Sequence, residues 1–340
     1  MAGPLRFGIL GAARIAPMAL VRPARRVSEA TVLAVAARDP ERARRFASRH
    51  SIPRVHESYE ALLADPEIEA VYNPLPNALH AEWTIRALEA GKHVLCEKPF
   101  AASVAEAEAM AGAAERAGRV LVEAFHYRYH PLFARLRTIL DTGEIGTVLH
   151  LEAHLCFPLL RPSDIRYRRD LGGGALMDAG CYTVHLLRHL AGAEPEVVAA
   201  RALWTRGGVD RALAAELRFP GGRSARLTCS LFSRWLLRAS TRIEGTTGLV
   251  SVLNPFAPQF FHRLRLLTPA GRRSERVTGP PTYDCQLRAF VAAVRDGAPV
   301  PTGPADAIAN MRAIERIYAS AGRPVARAAV RGGRAPAVSG

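Results

Sequence analysis

Lysine is almost missing from this chain. Of 46 basic side chains only two, Lys92 and Lys98, are lysines, so arginine supplies positive charge nearly everywhere else. Cysteine is scarce too. The five cysteines, Cys96, Cys156, Cys181, Cys229 and Cys285, are odd in number, widely spaced and never arranged Cys-x-x-Cys. That excludes a disulfide framework and a zinc knuckle, and it points to a reducing cytoplasm. No apolar run reaches the roughly 18 residues a membrane helix needs. The apolar stretch 5–21 imitates a short export signal, but Arg14 and a glycine turn interrupt it, so neither export nor membrane attachment is expected. Aromatic residues make up 7% of the chain and do not interleave with the arginines, so the net charge of +15 lacks the pattern of a nucleic-acid module. It favours small, possibly anionic ligands instead. No internal repeat is present.

The 340 residues, 49% of them hydrophobic, suffice for two domains with substantial cores. Strand patterns at 5–10, 31–37, 70–72, 93–96 and 120–124 alternate with helix patterns at 41–50, 58–64, 78–90 and 104–117. This alternation predicts an α/β unit with a doubly wound parallel sheet over 1–124. Beyond Gly146, β-rich runs with alternating polarity are broken by one long helix, 175–191, and followed by helices at 285–296 and 305–321. They predict an α+β domain over 125–327 built on an antiparallel sheet. Residues 328–340 are Gly, Pro, Ala and Arg without periodicity, the composition of a disordered tail.

Chemistry concentrates at Cys96-Glu97-Lys98-Pro99. It follows an apolar strand, so a carboxylate and an ammonium emerge at the sheet edge where open α/β folds bind ligands. Lysine is a compact donor whose pKa moves on burial, which suits a reacting oxygen better than arginine does. Gly11-Ala12-Ala13-Arg14-Ile15-Ala16 occupies the place of a Gly-x-Gly-x-x-Gly dinucleotide loop, with Ala13 and Ala16 at the second and third glycine positions. Arg38 ends the second strand, where an arginine accommodates a 2′-phosphate, so NADP(H) is favoured over NAD(H); Asp39-Pro40 reads as a helix cap. Asn73-Pro74-Leu75-Pro76-Asn77 forms a rigid loop at the same edge, with His80 opening the next helix. In the second half Gly172-Gly173-Gly174 leads into a helix on which Asp178, Tyr182 and His185 fall at i, i+4 and i+7, on one face. The pairs His126/His130 and His185/His189 lack cysteine partners and the His-Glu-x-x-His order, so no metal is expected.

Taken together, Gly8-Ile9-Leu10-Gly11-Ala12-Ala13, the 73–77 loop with His80, Glu97-Lys98-Pro99, the segment 123–131 and Gly172 to Tyr182 resemble the Gfo/Idh/MocA oxidoreductases. Tyr182, four residues after Asp178, resembles the branch holding glucose-fructose oxidoreductase, NADP xylose dehydrogenase, trans-dihydrodiol dehydrogenase and nucleotide-sugar 3-ketoreductases. The resemblance implies a Rossmann domain followed by an α+β domain whose open sheet joins copies into a dimer or tetramer. It implies catalysis by Lys98, Tyr182 and Asp178, with hydride passing between nicotinamide and a secondary alcohol or ketone of a sugar-like ring. Tyr182 would be the general acid, its pKa lowered by Lys98. Cofactor contacts would come from Gly11, Ala13, Arg14, Ile15, Arg38, Asn73, Leu75, Pro76, Asn77, His80, Glu97 and Lys98; Arg128 and His185 would meet substrate. A cis peptide before Pro99 is also implied. Two departures stand out: the alanines of the glycine loop, and Ala37 where NADP-using relatives often carry serine. The competing class is a dinucleotide-binding sensor without turnover, against which the presence of both Lys98 and Tyr182 argues.

If Arg38 selects the 2′-phosphate, Arg38→Ala weakens NADPH binding by roughly 1–3 kcal/mol and spares NADH, as fluorescence titration with each cofactor would register. Equal losses for both would remove Arg38 from the discrimination.

Overall fold

The computed structural model describes residues 3–233 and 237–323; the tail expected at 328–340 lies outside them. The first half is a parallel sheet of β1 (Leu5–Leu10), β2 (Ala30–Ala36), β3 (Arg54–His56), β4 (Ala70–Asn73), β5 (His93–Cys96) and β6 (Leu121–Glu123), ordered β3-β2-β1-β4-β5-β6. Strands β1, β4 and β5 are apolar along nearly their whole length because helices cover both faces of a parallel sheet. β3 is three half-buried residues, too short and polar to leave a pattern in the sequence. The helical run after β1 passes from a π turn at Pro17–Val21 into α1 (Arg22–Ala24). The crossovers are α2 (Pro40–His50), α3 (Tyr59–Ala64), α4 (His80–Glu89) and α5 (Val104–Ala117). The expected cap of α2 forms: Asp39 Oδ1 accepts from the backbone N–H of Glu41 at 3.0 Å and of Arg42 at 3.3 Å.

After α6 (Pro131–Asp141) the second sheet comprises β7 (Val148–Cys156), β8 (Glu196–Trp204), β9 (Asp210–Phe219), β10 (Arg223–Ser230), β11 (Arg238–Gly245), β12 (Leu249–Leu253), β13 (Arg263–Thr268) and β14 (Gly271–Glu275). Its order is β14-β13-β12-β11-β7-β10-β9-β8, antiparallel throughout except that β7 and β10 run parallel. In β10 the buried Ala225, Leu227 and Cys229 alternate with outward Ser224, Arg226 and Thr228, the signature of a sheet with one covered face. The covering helix is α7 (Cys181–Ala191), entered through a π-helical turn at Leu176–Gly180.

The two C-terminal helices return to the first half. α8 (Thr282–Asp296) lays Tyr283, Leu287, Phe290 and Val291 among Leu5, Phe7 and Ile9, with Phe290 and Phe7 5.5 Å apart, and Asp284 takes both Nε and Nη2 of Arg26 at 2.7 and 2.6 Å. α9 (Pro304–Ser320) offers the Glu315 carboxylate to the N-terminal N–H of Val104, at 2.8 Å. The sheets are thus separate, but the apolar core runs through both halves. No helix among the described residues is long and apolar enough to cross a membrane.

The helix carrying the second constellation is anchored by a residue from β9. Asp210, 1% exposed, accepts from the backbone N–H of Leu176 at 2.8 Å and from the Tyr318 hydroxyl at 2.7 Å, putting negative charge at a helix N-terminus. Gly174 must be glycine here: its φ is +142°, and a Cβ would lie 2.3 Å from Asp210 Oδ1. Burial pushes the Asp210 carboxyl up to about 6 against the pull of these hydrogen bonds. The folded value stands above the ordinary one of about 4. Native protein therefore binds this proton more tightly than unfolded chain, and that stabilisation is complete below about pH 4 and lost as pH rises through about 6. Urea unfolding of Asp210→Asn against the parent, from pH 4 to 7, should show the variant without this decline; parallel curves would contradict the assignment.

Candidate active site

At the C-terminal edge of the parallel sheet the chain turns sharply three times. Gly11, with φ +88° and its N–H on the Ala36 carbonyl at 2.7 Å, ends β1; a Cβ there would approach a Leu75 methyl to 3.0 Å. Half-exposed Ala13 and Ile15 and exposed Arg14 form the next turn. Exposed Arg38 ends β2, and its backbone N–H meets the Tyr59 hydroxyl. After β4, Asn73 is wholly buried: its amide donates to the His80 carbonyl at 3.2 Å and the Thr84 hydroxyl at 3.0 Å, and its oxygen accepts from the Leu75 N–H. Leu75 is buried, Pro76 half-exposed, and Asn77 donates across to the Gly172 carbonyl at 2.8 Å.

Lys98, after β5, reaches Asp178 at the start of the α7 helix. Its Nζ lies 3.0 Å from Asp178 Oδ1 and 3.0 Å from the Asp178 backbone oxygen, a carbonyl in the π turn. Arg166 Nε stands 2.8 Å from the other carboxylate oxygen, as an ion pair rather than an aligned hydrogen bond. Arg166 also pairs with Asp164 at 3.1 Å, and Arg14 approaches Asp164 to 3.9 Å. A line of alternating charges thus runs from the glycine loop to the lysine. Burial disfavours the charged forms of Lys98 and Asp178, yet the Asp178 carboxylate raises the Lys98 pKa above its ordinary value, and Lys98 and then Arg166 hold Asp178 below its own. Glu97 accepts from the buried Tyr72 hydroxyl at 2.6 Å; burial pushes its carboxyl up, and Lys98 pulls it back. The Lys98–Pro99 peptide is cis.

Tyr182 faces this group. The Lys98 ammonium sits over its ring, 5.0 Å from the centroid, within cation–π range. Phe125, Phe256 and Tyr127 pack around the ring with centroids 5.2, 5.6 and 5.9 Å away. Burial first, then Tyr283 and Glu97, push the Tyr182 phenol well above its ordinary value. This corrects the expectation that Lys98 lowers it: the ammonium lies over the ring face, and the carboxylates oppose a phenolate.

One of the two expected substrate contacts, His185, lies elsewhere. His185 has no exposed surface; its Nδ1 accepts from the Tyr127 hydroxyl at 2.6 Å and its Nε2 donates to Asp306 at 3.0 Å. The π turn rotates α7 relative to a regular helix, so i+7 no longer shares the face of Asp178. Asp306 also takes His189 Nε2 at 3.0 Å and Arg188 Nη1 at 2.9 Å. Against burial, these donors hold the Asp306 carboxyl below its ordinary value. Arg128 stacks its guanidinium on Phe133, 4.0 Å from the ring centroid. His80 is a fully buried strut rather than an open contact, its ring between the carbonyls of Pro99 at 2.8 Å and Leu75 at 2.7 Å, with burial holding it down to about 4. Arg166, Asp164 and His126 have no role predicted from the sequence. The first two sit in an aperiodic segment, although their position just before the triple glycine is a usable signal.

Two family models match the chain, one described as the oxidoreductase family with an NAD-binding Rossmann fold, over residues 5–125, and one as the GFO/IDH/MocA C-terminal domain, over residues 133–251. An uncharacterized oxidoreductase, ORF334, of Rhizobium meliloti is 40% identical over 94% of this chain and 97% of its own. D-xylose 1-dehydrogenase (NADP(+)) 2 of Haloferax volcanii is 36% identical over 93% and 97%. Among solved structures, KijD10, a 3-ketoreductase from Actinomadura kijaniata in complex with NADP and TDP-benzene, superposes with a TM-score of 0.88 at 30% identity, covering 94% of this chain and 98% of that one.

Asp178 is what keeps buried Lys98 charged, so Asp178→Asn should drop the Lys98 titration midpoint below that of an ordinary lysine. With two lysines in the chain, Nζ or Cε resonances followed by NMR against pH give the answer directly. An unmoved midpoint would mean that Glu97, and not Asp178, keeps Lys98 charged against burial and Arg166.

Proposed function

Because this chain belongs to the GFO/IDH/MocA oxidoreductase family, we propose that it interconverts a secondary alcohol and a ketone on a sugar or sugar-like ring, with NADP(H) as its cofactor. The observation that carries the reading is the meeting of Lys98, Asp178 and Tyr182, from two halves of the chain, at the ligand-binding edge of the parallel sheet. The edge fits a phosphorylated dinucleotide. Gly11 brings bare backbone to its rim, and Arg14 and Arg38 set exposed guanidinium groups at the glycine loop and the end of β2. These residues, with the 73–77 loop and Glu97, would hold the cofactor, which supplies or accepts the hydride when bound.

Lys98 spends two of its three N–H bonds on Asp178, leaving one for the substrate oxygen. Directed there, an ammonium kept charged by Asp178 polarises a carbonyl and stabilises the alkoxide that develops. Tyr182, held protonated by its surroundings, is poised to donate: an alkoxide is far more basic than even a raised phenol. Asp178 fixes the lysine, and Arg166 fixes Asp178. The relatives include an aldose dehydrogenase and a 3-ketoreductase, which supports a polyhydroxylated ring as substrate.

A panel of aldoses, nucleotide-linked keto sugars, cyclic polyols and dihydrodiols, followed in both directions at the NADPH absorbance band, tests this reading. On the substrate so found, Tyr182→Phe should keep NADPH binding and lose roughly 10²- to 10⁴-fold in kcat. Lys98→Ala should be at least as damaging, and the double variant should cost less than the sum because both residues act on one oxygen. NADPH binding with no turnover of any of these classes would favour the sensor reading.

A further inference from the structure

The Tyr182 hydroxyl points at His126, which lies on the opening 3₁₀ turn of the second domain, His126–Tyr129; its oxygen is 3.4 Å from Nε2. His126 is 5% exposed and stacked on Tyr283 at 4.0 Å between ring centroids. Its other nitrogen, Nδ1, is 2.8 Å from the Thr282 hydroxyl, and that hydroxyl donates to Gln259 Oε1 at 3.0 Å. A hydroxyl has one proton. Since Thr282 gives its own to Gln259, it accepts from His126, which fixes the proton on Nδ1 and leaves Nε2 bare. The chain of donors therefore has one direction: Tyr182 O–H to His126 Nε2, His126 Nδ1–H to Thr282, Thr282 O–H to Gln259.

We propose that His126 is a positioning residue acting through Tyr182, the far end of a two-residue proton relay; this rests on the oxidoreductase function proposed for the site. In alcohol oxidation the substrate O–H proton passes to the Tyr182 oxygen as the Tyr182 proton passes to His126 Nε2, while the hydride leaves the carbinol carbon for the oxidised nicotinamide. The O–H and C–H bonds of the alcohol break, the C=O bond forms, and the released proton crosses to His126 as a transient imidazolium whose Nδ1–H is held by Thr282, to be given up to solvent as the product leaves. Reduction requires the ring to take up that proton first and then runs the same steps backward. The relay spares the site a free phenolate beside Glu97 and Asp178, the state their charges oppose. Around the ring, Lys98 supplies the charge, while Tyr182 from α7 and Tyr283 from α8 face it as protonated phenols. Burial and Lys98 hold the His126 pKa down to about 3, so the resting ring is neutral, as an acceptor must be.

His126→Gln keeps an acceptor oxygen but cannot carry a proton. On the substrate identified by the panel, it should lower kcat for oxidation roughly 10- to 100-fold, with KM and the Kd for NADPH within about 2-fold of the parent. Its kcat should climb about tenfold per pH unit through neutral and alkaline pH, as Tyr182 must then ionise on its own, while the parent stays flat. Parent-like kcat and pH profile in His126→Gln would overturn the relay, and so would a loss of NADPH affinity equal to the loss of kcat, which is the mark of a structural role. A second readout needs no turnover: ¹⁵N resonances of His126 should report a bare Nε2 that shifts in Tyr182→Phe. A protonated Nε2, or no shift, would also overturn the relay. Absence of NADPH binding and of all turnover would instead bring down the reading on which it rests.

Discussion

The Lys98 ammonium and the Asp178 carboxylate meet at 3.0 Å with only 13% and 14% of their side chains exposed, one at the rim of the parallel sheet and the other at the head of the helix that covers the second sheet. Neither charge is tolerable alone at that burial, since removing one partner of a buried pair leaves the other uncompensated. The pair therefore sets the spacing of the two halves at this point, beside the apolar core they share. It also stands at one end of a row of charges. Arg14, Asp164 and Arg166 extend the alternation of charge from the glycine turn to Asp178, the outermost step being the exposed Arg14 at 3.9 Å from Asp164.

The strong features of this fold were legible because each rests on local chemistry. Apolar strands ending at Leu10 and Cys96 announce a buried parallel sheet, and Asp39-Pro40 announces a helix start. β3 and β14 escaped because their residues are few and polar: β14 is Gly-Arg-Arg-Ser-Glu, held in the sheet by its partner strand and not by its own pattern. The site was half legible. Helical spacing put Asp178 and Tyr182 together, but a π turn between 176 and 180 redirects the residues after it, and nothing in the amino acids themselves marks a π turn. His185 went to the core for that reason. The Tyr182 pKa was misjudged because residue identity shows which charges are near but not how deeply the phenol is buried, and burial is what raises it most. His126 stood in plain view within an i, i+4 pair with His130. The structure divides that pair: His126 turns to the cleft, and His130 Nδ1 caps α6 through the N–H of Leu132 at 3.1 Å.

The scarcity of lysine acquires a physical sense in this setting. Arginine stays charged under nearly all circumstances and forks onto carboxylates, as Arg135 does between Glu144 and Glu275, both at 2.8 Å, and Arg188 between Glu194 and Asp306. Lys92, the other lysine, is buried with its ammonium on the carbonyls of Asp65 and Ile68 at 2.7 and 2.8 Å, a compact cation meeting two backbone oxygens at once. Both lysines are thus placed where a point charge fits.

The return of α8 to the first sheet bears on how the chain is made. Phe7 and Ile9 leave the ribosome long before Leu287 and Phe290, which cover them. During synthesis the parallel sheet must wait with an apolar face bare until α8 has emerged. A separation of this size exposes such a face for tens of seconds at ordinary rates of translation, roughly 5–20 residues per second. The growing protein is in that interval a natural client for chaperones that bind exposed apolar strands, and a premature stop before residue 282 would release a first domain that has a complete sheet but no lid on its core.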